Sequence, residues 1–152
     1  MSKPKTANPA FPISDTDLAN AIAQIGAEID HQPLRSSALA RIMRETFHGS
    51  DAGGAWDWRM AYDLMQAAAI QVVLRGDGTA GDIAAAKLLA SRLLTETRRS
   101  EQQIRLQQFS TPLAFATMAV RAAAIRKSET VLEPSAGTGA LAAFAARAGA
   151  TL

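Results

Sequence analysis

Residues 131–141 read VLEPSAGTGAL and decide the fold of the C-terminal part of the chain. The apolar start predicts a short strand over residues 130–134, and the two glycines predict a tight turn after it. The alanine-rich segment that follows predicts a helix over residues 138–147. Glycine permits a close approach of ligand to backbone, and helix-opening amides carry partial positive charge. The pattern therefore indicates a binding turn between strand and helix.

Upstream of this turn, apolar residues recur at helical spacing between capping and breaking residues. They predict helices at about residues 14–30, 36–48, 56–74, 82–103 and 113–125. The fold class is therefore mainly α, with an N-terminal helical bundle followed by the first strand-helix (βα) unit of a truncated Rossmann-like α/β fold. We expect a flexible tail (1–13), a helical domain (14–105) and the start of a ligand-binding α/β domain (106–152).

The composition restricts the classes of function. Hydrophobic residues make up 48% of the chain and charged residues 20%, which is typical of a globular rather than a disordered protein. The absence of cysteine excludes disulfide and thiol chemistry, and two histidines argue against a metal site. Because the sequence has no signal-peptide core and no apolar run near the roughly 20 residues that span a bilayer, we expect a cytoplasmic protein without a membrane anchor.

The glycine turn is compatible with more than one ligand. A P-loop is excluded because no lysine follows the glycines. A dinucleotide site stays open, since Gly137, Gly139 and Ala142 satisfy the G-x-G-x-x-G/A pattern. Glu133 at the end of the predicted strand disfavours it, because a carboxylate there would repel a pyrophosphate and attract a cation. S-adenosylmethionine carries a sulfonium and an ammonium and has no phosphate, so it suits the turn better.

Two segments resemble one known family. The sequence EPSAGTG at 133–139 resembles the first cofactor motif of class I S-adenosylmethionine-dependent methyltransferases, in the form found in DNA enzymes that modify adenine N6. The sequence QFSTP at 108–112 is similar to the companion motif that precedes the first strand in the same enzymes. The helical preamble further resembles the start of bacterial proteins that combine a methylase with a strawberry-notch-type helicase.

The resemblance implies a cofactor and a set of residues that bind it. The cofactor is S-adenosylmethionine, and DNA is the substrate of the complete enzyme. The residues implied in cofactor binding are Phe109, Thr111, Glu133, Pro134, Ala136, Gly137 and Gly139. The sequence departs from the family in lacking the Asp/Asn-Pro-Pro-Tyr/Phe motif that contacts the flipped base and the acidic residue that binds the ribose. We therefore predict no catalytic residue and no activity for this fragment alone.

Other readings of the sequence remain open. The chain is alternatively a helical interaction module that docks on a separate polypeptide, because a lone parallel strand cannot satisfy its own edges. A basic strip of arginines could contact phosphates, although a solvated helix face is the commoner explanation and the net charge is only +2. The strip of arginines comprises Arg92, Arg98, Arg99 and Arg105.

Trp56 and Trp58 could stack on bases, but tryptophans at such positions are more often core anchors.

Overall fold

The computed structural model describes residues 13–76, 81–98, 105 and 110–152. The described part is mainly helical and contains no strand. The predicted tail lies almost entirely outside these residues. The helices are α1 (Asp15–His31), α2 (Ser36–Thr46), α3 (Trp58–Leu74), α4 (Gly81–Arg92), α5 (Leu113–Ala122) and α6 (Ala140–Arg147).

Local capping explains where two of the helices begin. The side chain of Ser14 accepts a hydrogen bond from the amide of Asp17 at 3.1 Å, which starts α1 where the sequence predicts. The Asp57 carboxylate accepts one from the amide of Met60 at 2.7 Å, and α3 begins at the next residue, Trp58. Each cap satisfies an amide that the helix itself cannot pair.

One apolar core runs through the described helices. Helix α1 packs on α2 and α3, α4 packs on α3 and α5, and α5 packs on α6. Buried residues of α5 and α6 belong to the same cluster as those of α1–α4. The core thus crosses the predicted boundary at residue 105, and the division into two domains stays a prediction. The largest fully buried side chains are Ile25, Ile29, Leu39, Ile42, Met43, Met65 and Leu113.

Helix α4 is shorter than the sequence predicts. It ends at Arg92, and residues 93–98 are not helical, so the predicted continuation towards residue 103 is wrong as far as the chain is described. The helix ends where it meets the segment before α2. The amide of Leu34 donates to the carbonyl of Arg92 at 2.8 Å, so this terminal carbonyl has its partner outside the helix. Residues 99–103 lie outside the described part.

The predicted strand over residues 130–134 is not formed. A single parallel bridge joins Thr130 to Thr151, in which the Val131 amide donates to the Thr151 carbonyl at 2.9 Å. The Thr151 amide in turn donates to the Glu129 carbonyl at 2.8 Å. A strand needs a continuous neighbour, and pairing here does not extend beyond this bridge in the residues described. The helix of the expected strand-helix unit is present as α6, whereas the Rossmann-like unit itself is not shown.

No helix within the described ranges has both the length and the hydropathy needed to cross a membrane.

Candidate functional site

The glycine turn has the backbone geometry that its sequence predicts. Gly137 and Gly139 have φ angles of 55° and 85°, in the left-handed region that favours glycine. The Gly139 amide donates to the Ala136 carbonyl at 2.7 Å, which closes the turn. Helix α6 then begins at Ala140, two residues later than predicted, with Gly139 as its N-terminal cap residue. The amides that open α6 therefore follow directly on two left-handed glycines.

The turn and the segment before α5 share a small cavity. The cavity has a volume of about 40 Å³. Thr111 and Ser110 lie on one side of it, and Ala136 and Gly137 lie on the other. These residues come from the two separate motifs that the sequence singles out. The full lining is Ser110, Thr111, Ser135, Ala136, Gly137, Thr138, Ala140 and Leu141. A cavity of this size holds a water molecule or one functional group of a larger ligand.

Glu133 and Pro134 are placed differently from the cavity residues. Glu133 is half-buried, and its Oε1 accepts a hydrogen bond from the amide of Ser135 at 3.1 Å. The carboxylate thus stabilises the turn from within, and neither it nor the exposed Pro134 lines the cavity. Phe109 lies outside the described residues.

The chemistry of the cavity wall is that of hydroxyls and helix-opening amides. Ser110, Thr111, Ser135 and Thr138 contribute the hydroxyl side chains. The first turn of α6 contains no acidic residue, so its positive end is not compensated from within the helix. Such a wall suits a carboxylate or another polar acceptor. In the part of the chain that the structure describes, no three metal-ligating side chains cluster.

Sequence reasoning missed a second, larger cavity next to the first. Its volume is about 260 Å³, and Ser110 lines both cavities. At its polar end, Nε2 of Gln66 donates to Oε1 of Glu96 at 3.1 Å. Residues from α3, the segment after α4 and the start of α5 meet here, so no local sequence pattern could have indicated it. The lining is Gln66, Ala90, Leu93, Leu94, Thr95, Glu96, Ser110, Pro112 and Leu113.

Two arginines of the proposed basic strip, Arg92 and Arg98, make contacts within the chain. Nη1 of Arg92 donates to the Ile29 carbonyl at 3.1 Å. The guanidinium of Arg98 lies 4.2 Å from the ring centroid of Trp58, in a cation–π contact. These contacts favour a structural role over phosphate binding for both residues. Arg105 is exposed, and Arg99 lies outside the described part.

The two tryptophans differ in burial. Trp56 is only 5% exposed, and its indole Nε1 donates to the Gly49 carbonyl at 3.0 Å. This is the core-anchor role expected for it. Trp58 is half-buried and packs edge-on against Trp56, with ring centroids 5.6 Å apart. Its Nε1 donates to Oδ2 of Asp51 at 3.1 Å. Both indoles therefore stabilise the loop before α3 through hydrogen bonds to Gly49 and Asp51.

No family model, curated protein or solved structure matches this chain. The two motifs and the cavity that they line together are therefore what indicates a function.

Proposed function

We propose that this chain supplies the cofactor-binding part of an S-adenosylmethionine-dependent methyltransferase that acts on adenine N6 of DNA. One observation carries the proposal: Thr111 and Gly137, from two motifs that resemble those of the same enzyme family, line one cavity. A chance resemblance in either segment alone would give no reason for the two to meet. Because S-adenosylmethionine would extend well beyond a 40 Å³ cavity, the cavity would receive one group of the cofactor.

The chemistry of the turn supports a zwitterionic ligand. The opening amides of α6 favour an anionic group, such as the carboxylate of S-adenosylmethionine. The Glu133 carboxylate lies two residues before the cavity wall and would attract the ammonium or sulfonium of the same ligand. A pyrophosphate would gain from the amides but be repelled by Glu133. The charge pattern therefore favours S-adenosylmethionine over a dinucleotide.

The proposal assigns binding, and not catalysis, to this chain. Its sequence contains no Asp/Asn-Pro-Pro-Tyr/Phe motif, so the groups that would contact the target adenine are not among its residues. The complete enzyme would combine this cofactor part with a segment that supplies them, and DNA would be its substrate. On its own, the chain would bind S-adenosylmethionine weakly and would transfer no methyl group.

A second candidate is a helical interaction module that docks on a separate polypeptide. The observation in its favour is an apolar surface beside the parallel bridge, where Leu132 is 87% exposed and Leu152 is 61% exposed. A neighbouring strand from another chain would pair with the segment at Thr130 and cover Leu132. This role and cofactor binding are compatible, because such a strand would extend the sheet that the bridge begins.

The test is a titration of the ¹⁵N-labelled protein with S-adenosylmethionine, followed by amide chemical shifts. This method detects weak binding, and it reports the position of the ligand. We expect saturable shifts at Gly137, Gly139 and Thr111, with smaller shifts for NAD⁺ and ATP. Thr111→Val, which removes a hydroxyl from the cavity wall, should weaken binding, whereas Thr97→Val at an exposed position should not. Absence of shifts at millimolar ligand, or a preference for NAD⁺, would overturn the proposal.

A further inference from the structure

Arg147, at the end of α6, is held between two other helices. Its Nη1 donates to the carbonyl of Val73 in the last turn of α3 at 3.2 Å. Its Nη2 donates to Oδ2 of Asp82 in the first turn of α4 at 2.5 Å. The side chain of Asp82 is only 6% exposed and that of Arg147 is 24% exposed, so solvent screens this ion pair weakly.

The anchored end of α6 and the glycine turn are close and rigidly connected. Eight helical residues span about 12 Å, with Gly139 before the first and Arg147 as the last. Between them, Phe144 is 2% exposed and Ala145 is 1% exposed, so the middle of α6 is packed into the core. The guanidinium of Arg147 lies 5.5 Å from the Phe144 ring centroid. A displacement at one end of this short helix would therefore be transmitted to the other.

The turn itself has few contacts that could fix its position. Ser135, Ala136 and Gly137 are exposed. A Cβ built on Gly139 would meet no other atom of the described residues within 4 Å, and one built on Gly137 would meet only the Ser135 carbonyl, at 3.9 Å. The position of the turn therefore depends on its two flanks, which are the bridge of Thr130 with Thr151 before it and α6 after it.

We propose that Asp82 and Arg147 are positioning residues for the glycine turn, so that the helical domain fixes the geometry of the binding site. The consequence for ligand binding rests on the proposed function. Loss of the ion pair would lower the fraction of molecules in which α6 is docked. The apparent dissociation constant for a ligand of the turn would rise by the same factor, because only the docked form binds.

The test compares Arg147→Met with Arg147→Lys in the full chain. Amide hydrogen exchange is measured at Ala143 and Ala148, which donate to carbonyls of Gly139 and Phe144. In Arg147→Met we expect these two amides to lose nearly all of their protection, while amides in α1 keep theirs. Arg147→Lys retains the charge and should restore part of the protection. The matched control is Arg44→Met, an exposed arginine in the last turn of α2, which should change neither region.

A second readout is the S-adenosylmethionine titration of the same variants. Arg147→Met should weaken binding about tenfold, which corresponds to a docked fraction of about one tenth. If Arg147→Met does not fold, both measurements are made on Asp82→Leu combined with Arg147→Met, which leaves no charge buried. We then expect a protected α1 with fast exchange in α6.

Unchanged exchange in α6 of a folded variant that lacks the ion pair would overturn the positioning role. So would a nearly complete loss of protection in α6 with no change in ligand affinity, because Arg147 would then stabilise the helix without placing the turn. If the wild-type protein binds no S-adenosylmethionine, the proposed function fails, and hydrogen exchange still decides whether Asp82 and Arg147 hold α6 in its docked position.

Discussion

Arg92 on α4 caps the end of α1, since its Nη1 donates to the carbonyl of Ile29 at 3.1 Å and to that of Asp30. Carbonyls in the last turn of a helix have no partner within the helix, and a cation there also interacts favourably with the helix dipole. We expect Arg92→Met to lower the free energy of unfolding by about 1–2 kcal/mol. Urea denaturation followed by circular dichroism measures this. Arg44→Met, at an exposed position, should stay within about 0.5 kcal/mol of wild type.

Asp57 provides a second prediction, because its Oδ1 caps α3 through the amide of Met60. Asp57→Ala removes the acceptor and should lower the free energy of unfolding by about 1 kcal/mol. Asp57→Asn keeps a capping oxygen and serves as the matched control. We expect it to lower the free energy of unfolding by only a few tenths of a kcal/mol. The same denaturation experiment compares both variants. Equal losses in the two would mean that the charge at position 57, and not the hydrogen bond, is what stabilises the helix.

The features that the sequence predicts correctly depend on neighbouring residues. Ser14 caps α1 through the amide three residues later, so a short window of sequence contains the whole interaction. Gly139 adopts its left-handed conformation because a turn between 136 and 140 requires it. Thr111 and Gly137 line one cavity although nothing in the local pattern brings them together, and the cofactor site that the family resemblance implies there stays a prediction.

The features that the sequence does not predict depend on residues far along the chain. Helix α4 ends at Arg92, whose carbonyl accepts a hydrogen bond from the amide of Leu34, and helical periodicity does not predict this contact. The predicted strand fails for a similar reason. Val131 has the apolar character of a strand residue, but strand formation requires a continuous partner, and among the described residues the pairing is limited to the bridge of Thr130 with Thr151. The ion pair of Asp82 with Arg147 is equally long-range.

Asp63 on α3 should make stability depend on pH. Its pKa is raised above the usual 3.8, chiefly by partial burial of a side chain that is still 55% exposed, while Arg59 opposes the shift and Glu96 and Asp57 add to it. Because the folded protein holds this proton more tightly than the unfolded chain, stability falls as pH rises from about 3.8 through the raised pKa. Asp63→Asn removes this penalty. We expect it to be more stable than wild type at neutral pH, with the advantage disappearing at low pH.

Urea midpoints measured over a pH series test this dependence. The control is Glu45→Gln, because Glu45 forms an exposed ion pair with Arg41 at the same i, i+4 spacing as Asp63 with Arg59. Exposed pairs of this kind contribute little, so the control should show no gain at neutral pH. A difference between Asp63→Asn and wild type that is constant across the series would show that the carboxyl does not titrate differently on folding.

Gly139 and Gly149 flank α6. Substitution by alanine should lower the free energy of unfolding by a different amount at each position. Both have positive φ angles, of 85° and 98°, so a Cβ brings backbone strain of about 1–2 kcal/mol at either position. At Gly139 the added Cβ meets no atom of the described residues within 4 Å, whereas at Gly149 it lies 3.2 Å from Cα of Lys127. Urea denaturation should therefore give a larger loss for Gly149→Ala than for Gly139→Ala. Gly139→Asn should lower the free energy of unfolding less than either alanine substitution, because asparagine tolerates the left-handed region. Equal losses for the two alanine variants would mean that backbone strain alone, and not the contact with Lys127, decides the cost at Gly149.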